Sequence, residues 1–228
     1  MMQRLMSIAE RQLHLIIAGN WEAVDPELVE YLEDELENDP REDLVGVAFC
    51  LLKMGISPEK AVSLLSWKEF ESFCMRGLQI QGMEAFGGVR FKQGGRRYEI
   101  DVLGIGEDKI LLIDCKMWSM RGRSNKMRLA AEEHLRRAIA FDEAMRSEKI
   151  RGFSKEEGRS NIIPIVVSWL EVTLTRSREG LAVVSLRDFP RFLDSLDELE
   201  DDFFRIETNY RIKAMKGFPS RGKLPLRS

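Results

Sequence analysis

A short apolar run that ends in charged residues constrains the fold of this 228-residue chain more than any other feature. The run Ile110–Ile113 follows the turn at 106–109 and leads into Asp114-Cys115-Lys116. An almost unbroken apolar segment of this length predicts a central strand that is buried within a sheet. Because buried charges must be paired or bound to a metal, the sequence predicts a polar site at the end of this strand.

The segment before the turn predicts the strand that pairs with it. Residues 98–105 alternate, and the period of two places Glu99 and Asp101 on the opposite face from Tyr98, Ile100 and Val102. A hairpin around the turn would bring Asp101 close to Asp114, and we expect a divalent cation between them with Lys116 beside it. The alternative is an exposed hairpin in which these charges form a surface ion pair of little energetic value.

The neighbouring segments predict an α/β domain over residues 67–204. A capping box begins a helix at Ser66-Trp67-Lys68-Glu69. Further helices are predicted at about 125–146 and after Phe189, strands at 89–91, 98–105, 110–116, 161–168 and 180–186, and a polar loop around 152–160. This order, which includes a strand–helix–strand step, predicts a mixed sheet flanked by helices.

Residues 1–66 predict a separate, acidic helical subdomain. Eleven acidic residues and one basic residue lie between Glu22 and Asp43. Three helix starts share a capping residue followed by proline: Asp25-Pro26, Asp39-Pro40 and Ser57-Pro58. Because an acidic surface repels phosphate, we expect these helices to pack, to dimerise or to contact another protein.

The net charge of −3 hides a segregation of charge along the chain. The stretches 121–137 and 205–228 have net charges of +4 and +6, and the second has the composition of a basic tail. Each stretch is a candidate for phosphate contacts or, alternatively, a solvated helix face or tail. Nucleic-acid contacts are predicted just after the charged strand end: Arg121, Arg123, Lys126 and Arg128.

Other patterns exclude several classes of protein. The sequence has neither a GxxxxGK[ST] nor a GxGxxG motif, which argues against nucleotide-driven chemistry. Its three cysteines have no CxxC spacing, so we expect reduced core residues in a cytoplasmic protein. Two distant histidines provide no zinc constellation. His134, on the predicted long helix, is either a polar assistant of the site or, as is more usual for a lone histidine, structural.

The arrangement of Asp101 and, thirteen positions later, Asp114-Cys115-Lys116 resembles the D…(D/E)xK signature of the PD-(D/E)xK nuclease superfamily. Glu71, on the preceding helix, is similar to the helix glutamate that completes the metal site in the Mrr-type and archaeal Holliday-junction-resolvase branches. The resemblance covers about residues 67–199. Asp114 stands where glutamate is commoner in the family, and the spacing between Glu71 and Asp101 is long.

The resemblance implies a restriction-endonuclease-like fold and metal-dependent hydrolysis of DNA phosphodiester bonds, with RNA as an open alternative. It implies Mg²⁺ or Mn²⁺ held by Asp101, Asp114, Glu71 and the carbonyl of Cys115. Lys116 would orient the attacking water or stabilise charge in the transition state. Related enzymes often cut two strands as dimers, so a homodimer is also expected. The competing hypothesis is an inactive nuclease fold that binds nucleic acid or serves assembly.

Overall fold

The computed structural model describes residues 2–36, 38–116, 123–169 and 175–215. Within them the chain forms two compact units, one that ends at Phe73 and one that begins at Cys74. This division falls inside a helix, a few residues after the boundary predicted from the sequence at Ser66. In the described part of the chain, no helix is both long and apolar enough to cross a membrane.

The first unit consists of short helices. They are α1 (Met2–Ile17), α2 (Pro26–Glu35), α3 (Leu44–Lys53), α4 (Pro58–Val62) and the first half of α5 (Trp67–Ile80). The predicted starts of α2 and α5 are confirmed, since the Asp25 side chain caps α2 and the Ser66 N–H donates to Glu69. The predicted start at Asp39-Pro40 is wrong. Helix α3 begins four residues later, because buried Asp43 accepts the N–H of Gly46 and so provides the cap.

The second unit is an α/β structure with a seven-stranded mixed sheet. Its strands are β1 (Glu84–Gln93), β2 (Arg96–Ile105), β3 (Lys109–Lys116), β4 (Phe153–Ser168), β5 (Thr175–Arg176), β6 (Ala182–Ser185) and β7 (Ile206–Ala214). Its further helices are α6 (Arg123–Arg146), α7 (Phe189–Asp194) and α8 (Leu196–Leu199). Strands β1 to β3 are antiparallel, whereas β3, β4 and β6 are parallel, with α6 as the connection from β3 to β4.

Helices cover both faces of this sheet. On one face, Phe141 of α6 packs in a core cluster with Leu112 of β3 and Ile100 of β2. On the other face, Leu78 of α5 lies so close to Gly104 that a Cβ there would come within 2.8 Å of it. The predicted mixed sheet flanked by helices is therefore confirmed.

Strand β3 is buried along its length, as predicted. Ile110 to Cys115 are each at most 1% exposed, and that range includes the charged residue Asp114. The alternative of an exposed hairpin with a surface ion pair is therefore wrong. Two covering helices explain the unbroken apolar run, because neither face of the strand meets water.

Two segments that were predicted as irregular form part of the sheet. The predicted loop 152–160 belongs largely to β4, and residues 206–214 of the predicted basic tail form β7, which pairs with it antiparallel. Tyr210 and Ile212 are buried while their neighbours are more exposed, which is the alternation of a strand with one covered face. Charged residues on the outer face hid this period of two. The rest of the predicted tail, 216–228, lies outside the described residues.

Candidate functional site

Asp101 is held where β2 separates from β3. The two strands pair from Ile105 and Ile110 to Val102 and Ile113, and the pairing ends there. Two residues further along β3, the Cys115 N–H donates a 2.8 Å hydrogen bond to Asp101 Oδ2. The carboxylate thus replaces a strand partner.

Asp114 is a fully buried carboxylate between two cations. Arg137 of α6 donates a hydrogen bond to its Oδ1. Lys116 Nζ lies 2.7 Å from its Oδ2 and forms an ion pair with it. The same Nζ lies 3.3 Å from the carbonyl oxygen of Cys115. The predicted proximity of Asp101, Asp114 and Lys116 is therefore present in the structure.

His134 lies beneath this cluster and is fully buried. Its Nε2 is 2.7 Å from the carbonyl oxygen of Leu112, which assigns the ring proton to Nε2. Burial lowers the pKa of His134, so the imidazole is neutral at physiological pH. Its Nδ1 has no hydrogen-bond partner among the described residues and offers a buried lone pair.

The two aspartates have opposite pKa shifts. Burial raises the pKa of Asp101, and the nearby charge of Asp114 raises it further. Burial alone would also raise the pKa of Asp114, but its cationic neighbours reverse the direction and lower it. Protonated His134 would contribute to that effect, yet the ring is neutral, so Lys116 and Arg137 account for the lowering. Asp114 is therefore the more easily ionised member of the pair, and Asp101 is the more easily protonated one.

The side chain and the carbonyl of Cys115 point to different parts of the protein. The thiol sulfur lies 3.9 Å from that of Cys74 in α5, and both side chains are buried. The period of two along β3 places Asp114 and Lys116 on the face towards α6. The backbone of Cys115, and not its thiol, is therefore close to the charged cluster: its N–H contacts Asp101, and its carbonyl, the predicted metal ligand, contacts Lys116.

The other predicted site residues are Glu71, Arg121, Arg123, Lys126 and Arg128. Glu71 is half-buried on the part of α5 that belongs to the first unit, and its role as a ligand stays a prediction. Arg121 lies outside the described residues, and Arg123 is described only as the first residue of α6. Lys126 and Arg128 are exposed on α6, and Arg128 forms an ion pair with Glu132 one turn later.

The donors at the cluster suit a hard divalent cation. Carboxylate oxygens of Asp101 and Asp114 and the Cys115 carbonyl are all oxygen ligands, and Mg²⁺ is commonly bound by one or two carboxylates with water completing the shell. Asp114 Oδ2 is buried, and a bound cation would share it with the ammonium of Lys116, 2.7 Å away. In the described residues, no group of three or more His, Cys, Asp or Glu side chains is arranged to hold a metal. Water and the carbonyl would have to provide the remaining ligands.

Sequence reasoning did not identify Arg137 as part of the site. It counted Arg137 in the basic stretch that was assigned to phosphate contacts, whereas the structure places its guanidinium on Asp114 with the side chain 19% exposed. One signal was available. Arg137 follows His134 by three residues, so the two side chains lie on the same face of the helix. A histidine and an arginine on the face that packs against the sheet indicate that polar groups are buried there.

Comparison with known proteins gives little guidance about family. No family model matches the chain. An uncharacterized protein from Archaeoglobus fulgidus is 29% identical over 133 residues, which cover 58% of this chain and 92% of that protein. The crystal structure of protein VC1899 from Vibrio cholerae matches with 16% identity and a TM-score of 0.34. That match covers 88% of this chain, which spans 56% of VC1899.

Proposed function

We propose that this protein is a metal-dependent endonuclease that hydrolyses phosphodiester bonds of DNA on a restriction-endonuclease-like core. The observation that carries the proposal is the convergence of Asp101, Asp114 and Lys116 at the point where β2 leaves β3. A fully buried carboxylate is costly to keep ionised, and its position beside a second carboxylate and a lysine is difficult to explain by packing alone.

The order of elements in the second unit supports the same proposal. Helix α5 precedes three antiparallel strands, and α6 then crosses to the parallel strand β4. The carboxylates lie on two adjacent strands of the meander, and the lysine follows Asp114 by two residues on the same face. This is the placement that the sequence resemblance implies for the signature residues.

Each residue of the cluster has a distinct role in the proposed reaction. Asp101 and Asp114 would hold a Mg²⁺ or Mn²⁺ ion together with the Cys115 carbonyl. When bound, that ion lowers the pKa of a coordinated water and neutralises charge on the phosphate. Lys116, whose side chain is 25% exposed, can reach a phosphoryl oxygen and stabilise negative charge as it develops. Asp101 must be deprotonated to bind metal, so its raised pKa predicts that metal affinity falls on acidification.

Cleavage assays with matched variants test the proposal. The full chain would be incubated with duplex, branched and single-stranded DNA, with Mg²⁺ or with EDTA. Lys116→Ala removes a positive charge but no metal ligand, so cleavage should fall on the order of 100-fold or more while Mn²⁺ binding by calorimetry persists. Asp101→Asn removes a metal ligand, so it should weaken both cleavage and Mn²⁺ binding.

Asp108→Asn is the control, because Asp108 is an exposed aspartate in the turn at the other end of β3. It should leave cleavage and metal binding unchanged. A parent protein that cuts no substrate with Mg²⁺ would overturn the proposal, as would a Lys116→Ala variant that cuts like the parent.

The contact between Arg137 and Asp114 favours a second candidate, an inactive nuclease fold that binds nucleic acid. In that case Lys116 and Arg137 already neutralise Asp114, and the cluster is a structural ion-pair network. Arg137→Met separates the two candidates. If a metal competes with the guanidinium for Asp114, the variant should bind Mn²⁺ more tightly than the parent. If the network is only structural, calorimetry should detect no Mn²⁺ binding to either protein.

A further inference from the structure

The hairpin of β1 and β2 forms a positively charged cleft at the edge of the sheet. Its volume is about 650 Å³. Four cationic side chains line it, Arg90, Lys92, Arg97 and Lys149, together with the single carboxylate of Glu99. We call this the hairpin cleft. Its charge is opposite in sign to that of the whole chain, which carries a net −3.

Most of the positive charge of the hairpin cleft is uncompensated. Glu99 is occupied by Arg90, whose Nε and Nη2 donate bonds of 3.0 and 3.1 Å to its two oxygens. Among the described residues, Lys92, Arg97 and Lys149 form no ion pair, and all three are exposed. Three free cations around one concave surface concentrate a positive potential that attracts anions.

The nearby acidic side chains are already engaged. Glu148, next to Lys149 in sequence, lies 3.6 Å from Lys155. Glu143 of α6 accepts a hydrogen bond from Gln93 at the end of β1. These contacts leave the three free cations of the hairpin cleft available to a ligand.

The aromatic residues of the hairpin cleft are occupied within the protein. Phe91 is buried and stacks on Tyr98 with ring centres 5.3 Å apart. The guanidinium of Arg96 lies 5.8 Å from the centre of the Tyr98 ring. Recognition by base stacking needs a free aromatic face, so the hairpin cleft is better suited to charge than to bases. Such a cleft suits a chain of phosphates recognised without regard to sequence.

Strand β2 connects the hairpin cleft to the candidate active site. Arg97 and Asp101 lie four residues apart on it, about 13 Å at ~3.3 Å per residue. Along the axis of a nucleic-acid duplex, that distance corresponds to about four base pairs at ~3.4 Å each. We propose that the hairpin cleft binds the phosphodiester backbone of nucleic acid and, resting on the proposed function, holds a duplex substrate about four base pairs from the bond that is cut.

Binding measured without metal tests this site separately from cleavage. Fluorescence anisotropy of labelled single-stranded and duplex DNA would be followed in EDTA over a series of NaCl concentrations. The full-length triple variant Lys92→Ala/Arg97→Ala/Lys149→Ala should lose affinity on the order of tenfold or more at low salt. The slope of log affinity against log salt should become shallower by roughly two to three, because three phosphate contacts are lost.

Two matched variants distinguish DNA binding at the hairpin cleft from a general effect of the protein's positive charge. Lys68→Ala/Arg178→Ala/Arg191→Ala removes the same three charges at exposed positions elsewhere and should keep the slope of the parent. Lys92→Arg/Arg97→Lys/Lys149→Arg keeps the charges in the hairpin cleft and should also keep it. If the two triple-alanine variants lost DNA affinity to the same extent, the proposal would be overturned. Parent protein that binds tripolyphosphate but not DNA would also overturn it.

The same data distinguish failure of the site from failure of the proposed function. If the parent binds and cuts DNA but the hairpin-cleft triple keeps the salt slope, the site is wrong and the nuclease proposal stands. If the triple loses binding and the parent never cuts DNA with Mg²⁺, the site is supported and the nuclease proposal fails.

Discussion

Around Asp114, two cations surround a carboxylate that solvent does not reach, whereas in the hairpin cleft three cations face solvent without an acidic partner among the described residues. Both regions belong to the same sheet and use the same residue types. They differ in which cations already have a partner. Arg137 and Lys116 form ion pairs with Asp114, while Lys92, Arg97 and Lys149 remain available to a ligand.

This difference separates folding from binding. Removing one member of a buried charge cluster leaves its partners desolvated and unpaired, so stability decreases strongly. Removing an exposed, unpaired cation usually changes stability by less than about 0.5 kcal/mol. Substitutions around Asp114 should therefore affect stability, and substitutions in the hairpin cleft should affect only affinity.

The largest expected effect comes from Asp114→Asn. The variant keeps the shape of the side chain but removes the carboxylate with which Lys116 and Arg137 pair, so the free energy of unfolding should fall by about 3–5 kcal/mol. Urea titrations would measure it. The control Asp108→Asn, whose side chain is 67% exposed, should lose less than about 1 kcal/mol. Equal losses would mean that the cluster is no more coupled to folding than a surface pair.

Acid titration should reveal the opposite shifts of the two aspartates. The pKa of Asp114 is lower in the folded state, so its contribution to stability is present above the ordinary aspartate pKa and is lost as pH falls through the folded value. The raised pKa of Asp101 has the opposite sign, because its ionisation opposes folding as pH rises from the ordinary value towards the raised one.

Urea midpoints measured against pH in EDTA would test these signs. The parent should lose more stability on acidification than Asp114→Asn does. Asp101→Asn, which can still accept the Cys115 N–H, should gain stability relative to the parent as pH rises. A parent and an Asp114→Asn variant with parallel acid curves would contradict the assigned direction for Asp114.

The smallest expected effect is on the salt dependence of DNA binding when one cation is removed, either from the hairpin cleft or from the start of α6. Arg97→Ala removes a free charge, so the salt slope for DNA binding should become shallower by about one. Arg128→Ala removes a cation already paired with Glu132 and should change it less. Anisotropy over a salt series would compare them, and neither variant should shift the melting temperature. A larger change in salt slope for Arg128→Ala would indicate that DNA binds at the start of α6 and not at the hairpin cleft.

The fold of the second unit could be predicted largely from local patterns. The apolar run before Asp114 predicted a central strand, and the alternation over 98–105 predicted its partner, because period and polarity reflect which faces are covered. The same reasoning missed β7 and the first half of β4. Their charged outer faces resemble a loop, and each becomes a strand only by pairing with the other.

The helix start at Asp39-Pro40 shows a similar limit. Asp39 and Asp43 are two possible capping residues for the start of α3, and the local sequence allows a helix to begin after either of them. Burial decides between them, because Asp43 lies next to the apolar residues that pack in the first unit.

The sequence by itself determined that Asp101, Asp114 and Lys116 lie together, because a tight hairpin fixes the neighbours of adjacent strands within a few residues. Only the tertiary structure decided the partner of Asp114, because Arg137 reaches it across 23 positions through the packing of α6 on the sheet. Tertiary structure likewise left Lys92, Arg97 and Lys149 around the hairpin cleft without acidic partners among the described residues. Charge can be counted in a sequence, but pairing depends on distances that the whole fold sets.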